Sequence, residues 1–360
     1  MGLVLGDNPM LEQIAAVPSL IERLSKEQWE DVRLVLSAPE LCEVKNIIVL
    51  GCGDSYMAAT SASLALSMLS QVHVQTVTAM QASRYMAPIY TPLPAKSTLV
   101  IAISCSGETA RVLEACQCYR CAGAVTLAVT CNRQSRLGRA ADKVLEIPRI
   151  PGRGPGINSF ITILLSLYLF AIRMAEVKGI KTMPEAELLR QDLVQCARII
   201  RDKRENQNQI IDFANTCSIY REIEFIGCGP ALGIAEFGAA KVLEATGMRA
   251  LARETEEFCH LNFFRTNPQQ IPTVFLKPRN SLGHSRLEEV ERLLEVLERP
   301  LLTLDAGEAP EIFAPLCLAL QTAQLAAYLP DNCEEEYFRG HCGVWSGEGY
   351  LDVCESKIEG

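Results

Sequence analysis

Ile101-Ala102-Ile103-Ser104-Cys105-Ser106-Gly107-Glu108-Thr109 is the stretch that decides the fold. An apolar, β-branched run, Leu99 to Ile103, stops abruptly in hydroxyl residues and a glycine. A helical pattern, Ala110-Arg111-Val112-Leu113-Glu114-Ala115, follows at once. Strand, hydroxyl-rich turn and helix N-terminus together form the geometry that collects an anion. Unpaired backbone N–H groups and the positive end of the helix dipole converge on one spot, and hydroxyl side chains surround it. The guest this predicts is the phosphate of a small metabolite. Taken alone, the same turn also reads as a serine N-cap on an ordinary helix. The rest of the chain decides between the two.

Outward from that stretch the chain repeats itself. Asn46-Ile47-Ile48-Val49-Leu50-Gly51-Cys52-Gly53 has a partner in Ile223-Glu224-Phe225-Ile226-Gly227-Cys228-Gly229. Each reads as a strand ending in Gly-Cys-Gly and feeding a helix rich in Ala and Leu. In the first half, Leu99 to Ala122 is a second strand-turn-helix leading to a strand at Val125 to Val129. In the second half, Thr273 to Leu276 leads through a loop to a helix over Arg286 to Glu298, then to Leu301 to Leu304. Strands alternating with helices imply parallel sheets covered on both faces. The expected fold is α/β, with two tandem doubly wound parallel-sheet domains. The expected divisions are an N-terminal helical segment over 1–29, a first domain over 30–180, a second over 181–340 and a tail over 341–360. Pro9 to Leu24 reads as an amphipathic helix, and Glu185 to Gln209 as a polar helical connector.

Composition narrows the function. With 360 residues, 49% hydrophobic and 21% charged, the chain can bury two ordinary cores. A net charge of −9 with no Lys/Arg run argues against nucleic acid and membrane as partners. Met1-Gly2-Leu3-Val4-Leu5-Gly6-Asp7 has no basic leader pattern, so the expected location is cytoplasmic. The most apolar segment, Phe160 to Ala171, is too short for a bilayer and reads as a buried helix. Fifteen scattered cysteines in such a chain read as reduced thiols. Cys116, Cys118 and Cys121 cluster on a predicted helix without a second pair or matching histidines, so no metal is expected.

Gly-Cys-Gly after a strand invites a dinucleotide reading, which fails on detail. The fingerprint needs Gly where Tyr56 and Leu232 stand, and Val72 to Val77 offers no acidic residue for a ribose. Gly53-Asp54-Ser55 after one strand and Ser104-Cys105-Ser106-Gly107-Glu108-Thr109 after another resemble instead the sugar isomerase (SIS) domain of phosphosugar-binding proteins. Two such domains resemble the isomerase half of glucosamine-6-phosphate synthase and its free-standing isomerase, deaminase and deglycase relatives. Met10-Leu11-Glu12-Gln13-Ile14 and Pro18 match the segment that precedes the first domain in that group. With no amidotransferase or helix-turn-helix domain ahead of it, glutamine-dependent synthesis and transcriptional regulation are not expected.

The resemblance implies flavodoxin-like domains and one phosphate site per chain. It places the phosphate on Ser55, Ser104, Ser106 and Thr109, with the Cys105 backbone N–H contributing and Gly53 close to the sugar. The matching second-half turn, Lys277-Pro278-Arg279-Asn280-Ser281, lacks the hydroxyl cluster. Gly238-Ala239-Ala240-Lys241-Val242-Leu243-Glu244 matches the family's catalytic helix, with Glu244 at the base position. Glu257-Phe258-Cys259-His260 matches the segment carrying a ring-opening histidine. Lys241 would either neutralise an anionic intermediate or form a surface ion pair. Ser356-Lys357 resembles the tail lysine that lies over the substrate. Gly154-Pro155-Gly156-Ile157-Asn158-Ser159 lies where family members close the sugar pocket, without the synthase's Ala-Ser-Thr-Lys wording. Carbonyl transfer between C1 and C2 needs a carboxylate that swings between adjacent carbons, and ring opening needs a proton shuttle near neutrality. The implied partner is a phosphorylated sugar, with no metal or organic cofactor. The implied assembly is a homodimer whose interface holds the site and whose partner chain supplies the histidine. Isomerase, deaminase, deglycase and a non-catalytic phosphosugar sensor all stay open at this point.

Overall fold

The computed structural model describes residues 8–87, 94–152, 154–205, 207–261, 264–329 and 353–358. The reading of Met1–Asp7 and most of the 341–360 tail lie outside them. In chain order the elements begin with α1 (Pro9–Val35), α2 (Ala38–Glu43), β1 (Asn46–Gly51), α3 (Asp54–Ser70), β2 (His73–Thr78) and β3 (Thr98–Ile103). Next come α4 (Ala110–Cys121), β4 (Val125–Thr130), α5 (Arg136–Ala140), β5 (Lys143–Glu146), α6 (Asn158–Val177), α7 (Met183–Glu205) and α8 (Asn208–Cys217). Then follow β6 (Glu222–Gly227), α9 (Pro230–Thr246), β7 (Arg249–Glu254), α10 (Thr255–Leu261), β8 (Thr273–Leu276), α11 (His284–Val296), β9 (Leu301–Leu304) and α12 (Ala314–Tyr328).

Contacts gather the chain into two compact units. One holds Ile21–Ile150, Ser159–Leu193 and Ser346–Gly360; the other holds Met1–Leu20, Pro151–Asn158 and Val194–Trp345. The first contains a five-stranded sheet in the order β2-β1-β3-β4-β5, the second a four-stranded sheet in the order β7-β6-β8-β9. Every pairing is parallel, as in Ile47↔Leu99 and Glu224↔Thr273. The fold is therefore α/β, two parallel sheets with helices on both faces. In each sheet the chain steps outward from its first strand on one side, then returns to the other. That reversal opens a crevice beyond the carboxyl ends of β1 and β3, and another beyond β6 and β8, where such folds bind ligands.

Local chemistry explains the elements. β3 is buried at every position and β1 and β4 at all but their first, so these read as continuous apolar runs. β5 and β7 escape the sequence reading because they are half-exposed edge strands of mixed polarity. The Gly-Cys-Gly repeat has a double geometric cause. Cβ atoms at Gly51 and Gly227 would lie 2.8 Å from Ser55 Cβ and 2.7 Å from Ala231 O, against the helix that follows. Gly53 and Gly229 both take φ of 52°, which turns the strand sharply into α3 and α9.

Two expectations are corrected. α1 does not end at Leu24 but runs to Val35, through the interior Pro18. Its buried stripe continues through Gln28, Trp29 and Val32, which outweighs the single hydrogen bond that proline removes. The apolar segment is likewise longer than Phe160 to Ala171. As α6 it has 20 residues, enough by length and composition to cross a membrane, but 83% of its most apolar window is buried inside the protein. Burial in the core accounts for its composition.

Candidate active site

Beyond β3 the hydroxyls of the deciding stretch converge. Ser104 Oγ lies 3.1 Å from Thr109 Oγ1 and 3.4 Å from Ser106 Oγ. The turn is held by Gly107 N–H donating to Ser104 Oγ at 3.1 Å, and by Glu108 N–H donating to Ser106 Oγ at 3.2 Å. Among the described residues no hydrogen bond is seen from the backbone N–H groups of Cys105, Ser106 or Thr109. Thr109 is the N-cap of α4 and holds no side-chain cap bond, so its hydroxyl belongs to the cluster rather than to the helix. The bland N-cap reading therefore loses. Ser55 sits in the first turn of α3 beyond β1, the strand next to β3, so both helix N-termini flank one crevice. The loop after β4 supports the turn. Leu137 N–H donates to Gly107 O at 3.0 Å, and Thr130 Oγ1 donates to Cys105 O at 3.3 Å.

Charge is arranged around this cradle. The Glu108 carboxylate turns toward Arg136, whose Nε donates at 2.6 Å and whose backbone N–H donates at 3.1 Å. Burial pushes the Glu108 carboxyl up, but these bonds hold it below the ordinary value, so it stays neutralised by its partner. Arg111, in the first turn of α4, pairs with the buried Glu114 at 2.5 Å. The tail returns here. Ala110 N–H donates to Val353 O at 3.0 Å, Arg136 donates to Cys354 O at 2.6 Å, and Arg111 donates to Lys357 O. Lys357 is thus exposed beside α4, held through its backbone. These tail contacts have no local sequence signal.

The second unit holds the remaining candidates. Lys241 and Glu244 share α9, with Lys241 Nζ donating to Glu244 Oε2 at 2.8 Å. Lys241 is not a surface residue, since its side chain is 1% exposed and stands 5.2 Å over the Phe237 ring, whereas Glu244 is 39% exposed. A buried ammonium beside a reachable carboxylate fixes that carboxylate in direction. Glu257 and His260 lie on the short α10. His260 Nε2 pairs with Glu256 Oε1 at 3.6 Å and is 71% exposed, in an open depression of about 490 Å³ shared with Cys259, Arg286 and Glu289. Gly156 lies in a turn pinned by Gln13. The Gln13 side chain donates to Pro155 O at 3.1 Å and accepts from Ile157 N–H at 3.0 Å. Gln13 falls in the matched N-terminal segment, but its task depends on a partner 142 residues away.

In the second sheet the crevice beyond β8 is built differently. Ser281 Oγ donates to Glu311 Oε1 at 2.7 Å and Leu282 N–H donates to Glu311 Oε2 at 2.9 Å. Gly283 N–H donates to Ser281 Oγ at 3.1 Å, as Gly107 does to Ser104. A carboxylate of the chain itself takes the donors that an anion would take. Lys277 is occupied too, by Glu288 and Glu291 at 2.5 Å each. A larger cavity, about 970 Å³, lies between the C-terminal part of α1 and β5, and no predicted site residue lines it. Among the described residues no group of three or more His, Cys, Asp or Glu is placed to hold a metal ion.

Hydroxyls and helix N-termini at the reversal point define the class as a doubly wound fold whose donors converge at the crevice where such folds bind ligands. Residues 40–173, which include β1 to β5 and the cradle, match the SIS domain family. The chain is 27% identical over 296 residues to the glutamine–fructose-6-phosphate aminotransferase (isomerizing) of Clostridium perfringens, covering 79% of this chain and 47% of that protein. It thus spans less than half the length of the curated relatives it matches. Among solved structures it is similar to the C-terminal domain of the glucosamine-fructose-6-phosphate aminotransferase of Francisella tularensis. That likeness has a TM-score of 0.80 at 18% identity and covers 92% of this chain and 98% of the other. It is also similar to the tagatose-6-phosphate ketose/aldose isomerase of Escherichia coli, with a TM-score of 0.68 at 16% identity, covering 91% and 94%. At these identities the structures establish a shared fold.

Proposed function

We propose that the chain is a phosphosugar isomerase that moves a carbonyl between C1 and C2 of a sugar or amino-sugar 6-phosphate. The observation that carries this reading is the Ser104, Ser106 and Thr109 hydroxyl cluster at the N-terminus of α4. The phosphate is cradled there, with Ser55 and the Cys105 N–H completing the shell and Gly53 and Gly156 bordering the sugar. Glu244 takes the proton next to the carbonyl and returns it to the adjacent carbon, through an enediol or enediolamine. Lys241, fixed against Glu244, offsets the negative charge that develops on the oxygens. His260 shuttles the proton that opens the ring, Glu257 borders the sugar, and Lys357 lies over the substrate. The same proposal makes the protein a cytoplasmic homodimer. The high exposure of His260 suits a role in a site completed by a second copy. These steps are proton transfers, which the named side chains supply without an organic cofactor.

The test is a thermal-shift screen against hexose, hexosamine and fructosamine 6-phosphates, each beside its unphosphorylated parent. A ligand bound only by the folded state raises the melting temperature with occupancy. We expect stabilisation by a phosphate ester alone, lost in Ser104→Ala. With that ester, Glu244→Gln keeps the shift and lowers turnover by roughly 100-fold or more. Ammonia release in the same assay would mark a deaminase or deglycase. Tight binding without turnover by the unaltered chain would make it a sensor, and no shift with any ester would overturn the phosphosugar reading.

A further inference from the structure

Two thiols meet where the cradle joins its neighbouring strand. Cys105 follows β3, Cys131 follows β4, and Cys131 N–H donates to Cys105 O at 2.9 Å. The Cys131 thiol donates to Pro148 O at 3.9 Å, and the two thiols are near enough to shift each other's ionisation. The backbone bond carries the parallel pairing of β3 and β4 one step further, and neighbouring strands about 4.8 Å apart fall within the span of roughly 4.4–6.8 Å between α-carbons that a disulfide bridges. Both residues are only partly buried. Cys131 also lines the 970 Å³ cavity beside β5, which gives a small oxidant a path to its sulfur.

The pair is chemically unequal. The neighbouring Cys105 thiol holds the Cys131 thiol below the ordinary value, and although burial opposes it, the nearby Arg149 charge adds to the lowering. Cys105 is pushed up, first by the Cys131 thiol and then by burial. Cys131 is therefore the sulfur that ionises and attacks, and Cys105 the one that resolves.

We propose that Cys105 and Cys131 form a peroxide-driven, reversible disulfide that pulls the cradle out of its anion-binding shape. The Cys131 thiolate attacks one peroxide oxygen, the O–O bond breaks, and the departing hydroxide takes a proton to become water. Cys131 is then a sulfenic acid. The Cys105 sulfur attacks the Cys131 sulfur, the S–S bond forms and the S–O bond breaks. The released hydroxide leaves with the Cys105 proton as a second water. Two thiols lose two electrons and the peroxide gains two; an external dithiol reverses the change. The two sulfurs must close to about 2.05 Å, which pulls the Cys131 thiol off Pro148 O and drags the Cys105 backbone. Cys105 lies between Ser104 and Ser106, so the hydroxyl cluster moves with it. Bond formation stands on its own; the loss of ligand binding rests on the phosphosugar reading.

The experiment treats the full chain with hydrogen peroxide and maps it without reduction. Trypsin releases Ser97–Arg111, whose single cysteine is Cys105, and Cys121–Arg133, which holds Cys121 and Cys131. We expect these two peptides joined, about 2 Da lighter than their sum and separated by dithiothreitol, with fragmentation assigning the bond to Cys131. In parallel, the thermal shift given by a 6-phosphate ester is lost after peroxide, regained after dithiothreitol, and kept after peroxide in Cys131→Ser. If Cys105 and Cys131 both stay alkylatable, or bond only to other cysteines, the proposal fails. A linked pair that leaves the thermal shift intact overturns the coupling to the cradle. If no ester shifts the reduced chain, the functional reading fails, and the peptide map still decides the disulfide.

Discussion

Gly107→Ala tests the cradle at its tightest point. Gly107 has φ of 70°, and a Cβ there would overlap the Oγ and Cβ of Ser135 and come 2.8 Å from Thr130 Oγ1. Ser135 cannot step aside cheaply. It is buried and caps α5, with Gly138 N–H donating to its hydroxyl at 3.1 Å. Leu137 N–H donates to Gly107 O, so α5 is tied to the residue that would push it away. An alanine at positive φ costs about 1–2 kcal/mol and the overlap about 1–3, so a loss of roughly 2–5 kcal/mol is expected. For a unit of this size that is a fall of roughly 4–20 °C in melting temperature, read by calorimetry. Ser135→Gly in the same background removes the overlapping atoms, and glycine costs an N-cap only a few tenths of a kcal/mol. The double variant should recover the overlap share, about 1–3 kcal/mol, and keep the backbone share. A Gly107→Ala protein within about 1 kcal/mol of the original, or one that Ser135→Gly does not rescue, would refute the steric argument.

Two further outcomes concern the second unit. Arg299 is fully buried and donates to Glu224 at 2.5 Å and to Thr273 at 2.9 Å, so Arg299→Ala should cost about 3 kcal/mol in denaturant unfolding by leaving that buried carboxylate only the longer 3.4 Å contact of the half-exposed Arg253. Replacing Glu224 as well should cost less than Arg299→Ala alone, and a larger loss would contradict the pairing argument. Glu236 behaves in the opposite sense. Its Oε2 is buried with no hydrogen-bond partner among the described residues, and burial pushes its carboxyl above the ordinary 4.5. A raised carboxyl contributes stability below its unfolded value and loses it as pH rises through the folded one. Glu236→Gln should therefore gain melting temperature over the parent between about pH 4 and pH 7, and a gap that does not widen over that range would sink the assignment.

What could be read in the sequence follows the range of the interactions. β1, β3, β4 and β8 show themselves because a parallel strand buried on both faces is a largely apolar run, and β6, which carries Glu222 and Glu224, shows itself through the repeated Gly-Cys-Gly. β5 and β7 do not, since Lys143–Glu146 and Arg249–Glu254 become strands only by pairing with β4 and β6. The cradle is equally local. Its hydroxyls fall within six residues, so the turn that joins them is written in the stretch itself. Gln13 on the Gly156 turn and Arg136 on the tail answer to residues 142 and 218 positions away. Polar side chains of this kind carry no periodic signal and acquire a task only when the fold delivers their partners. Lys241 marks a third limit: its spacing to Glu244 gives the ion pair, whereas its burial comes from packing that α9 meets only in the folded unit.

Glu311 gives the second crevice a different history. The Ser281 hydroxyl and the Leu282 N–H are saturated by a carboxylate that never leaves, because the chain itself carries it. A group tethered this closely acts at an effective concentration of millimolar order or above, so a free anion competes poorly for the same donors. Of two copies of one strand-turn-helix device, one keeps the backbone N–H groups of Cys105, Ser106 and Thr109 without an acceptor among the described residues, whereas the other has incorporated an anion as a residue. The second crevice thereby becomes a permanent joint, its donors closed off by the chain's own carboxylate.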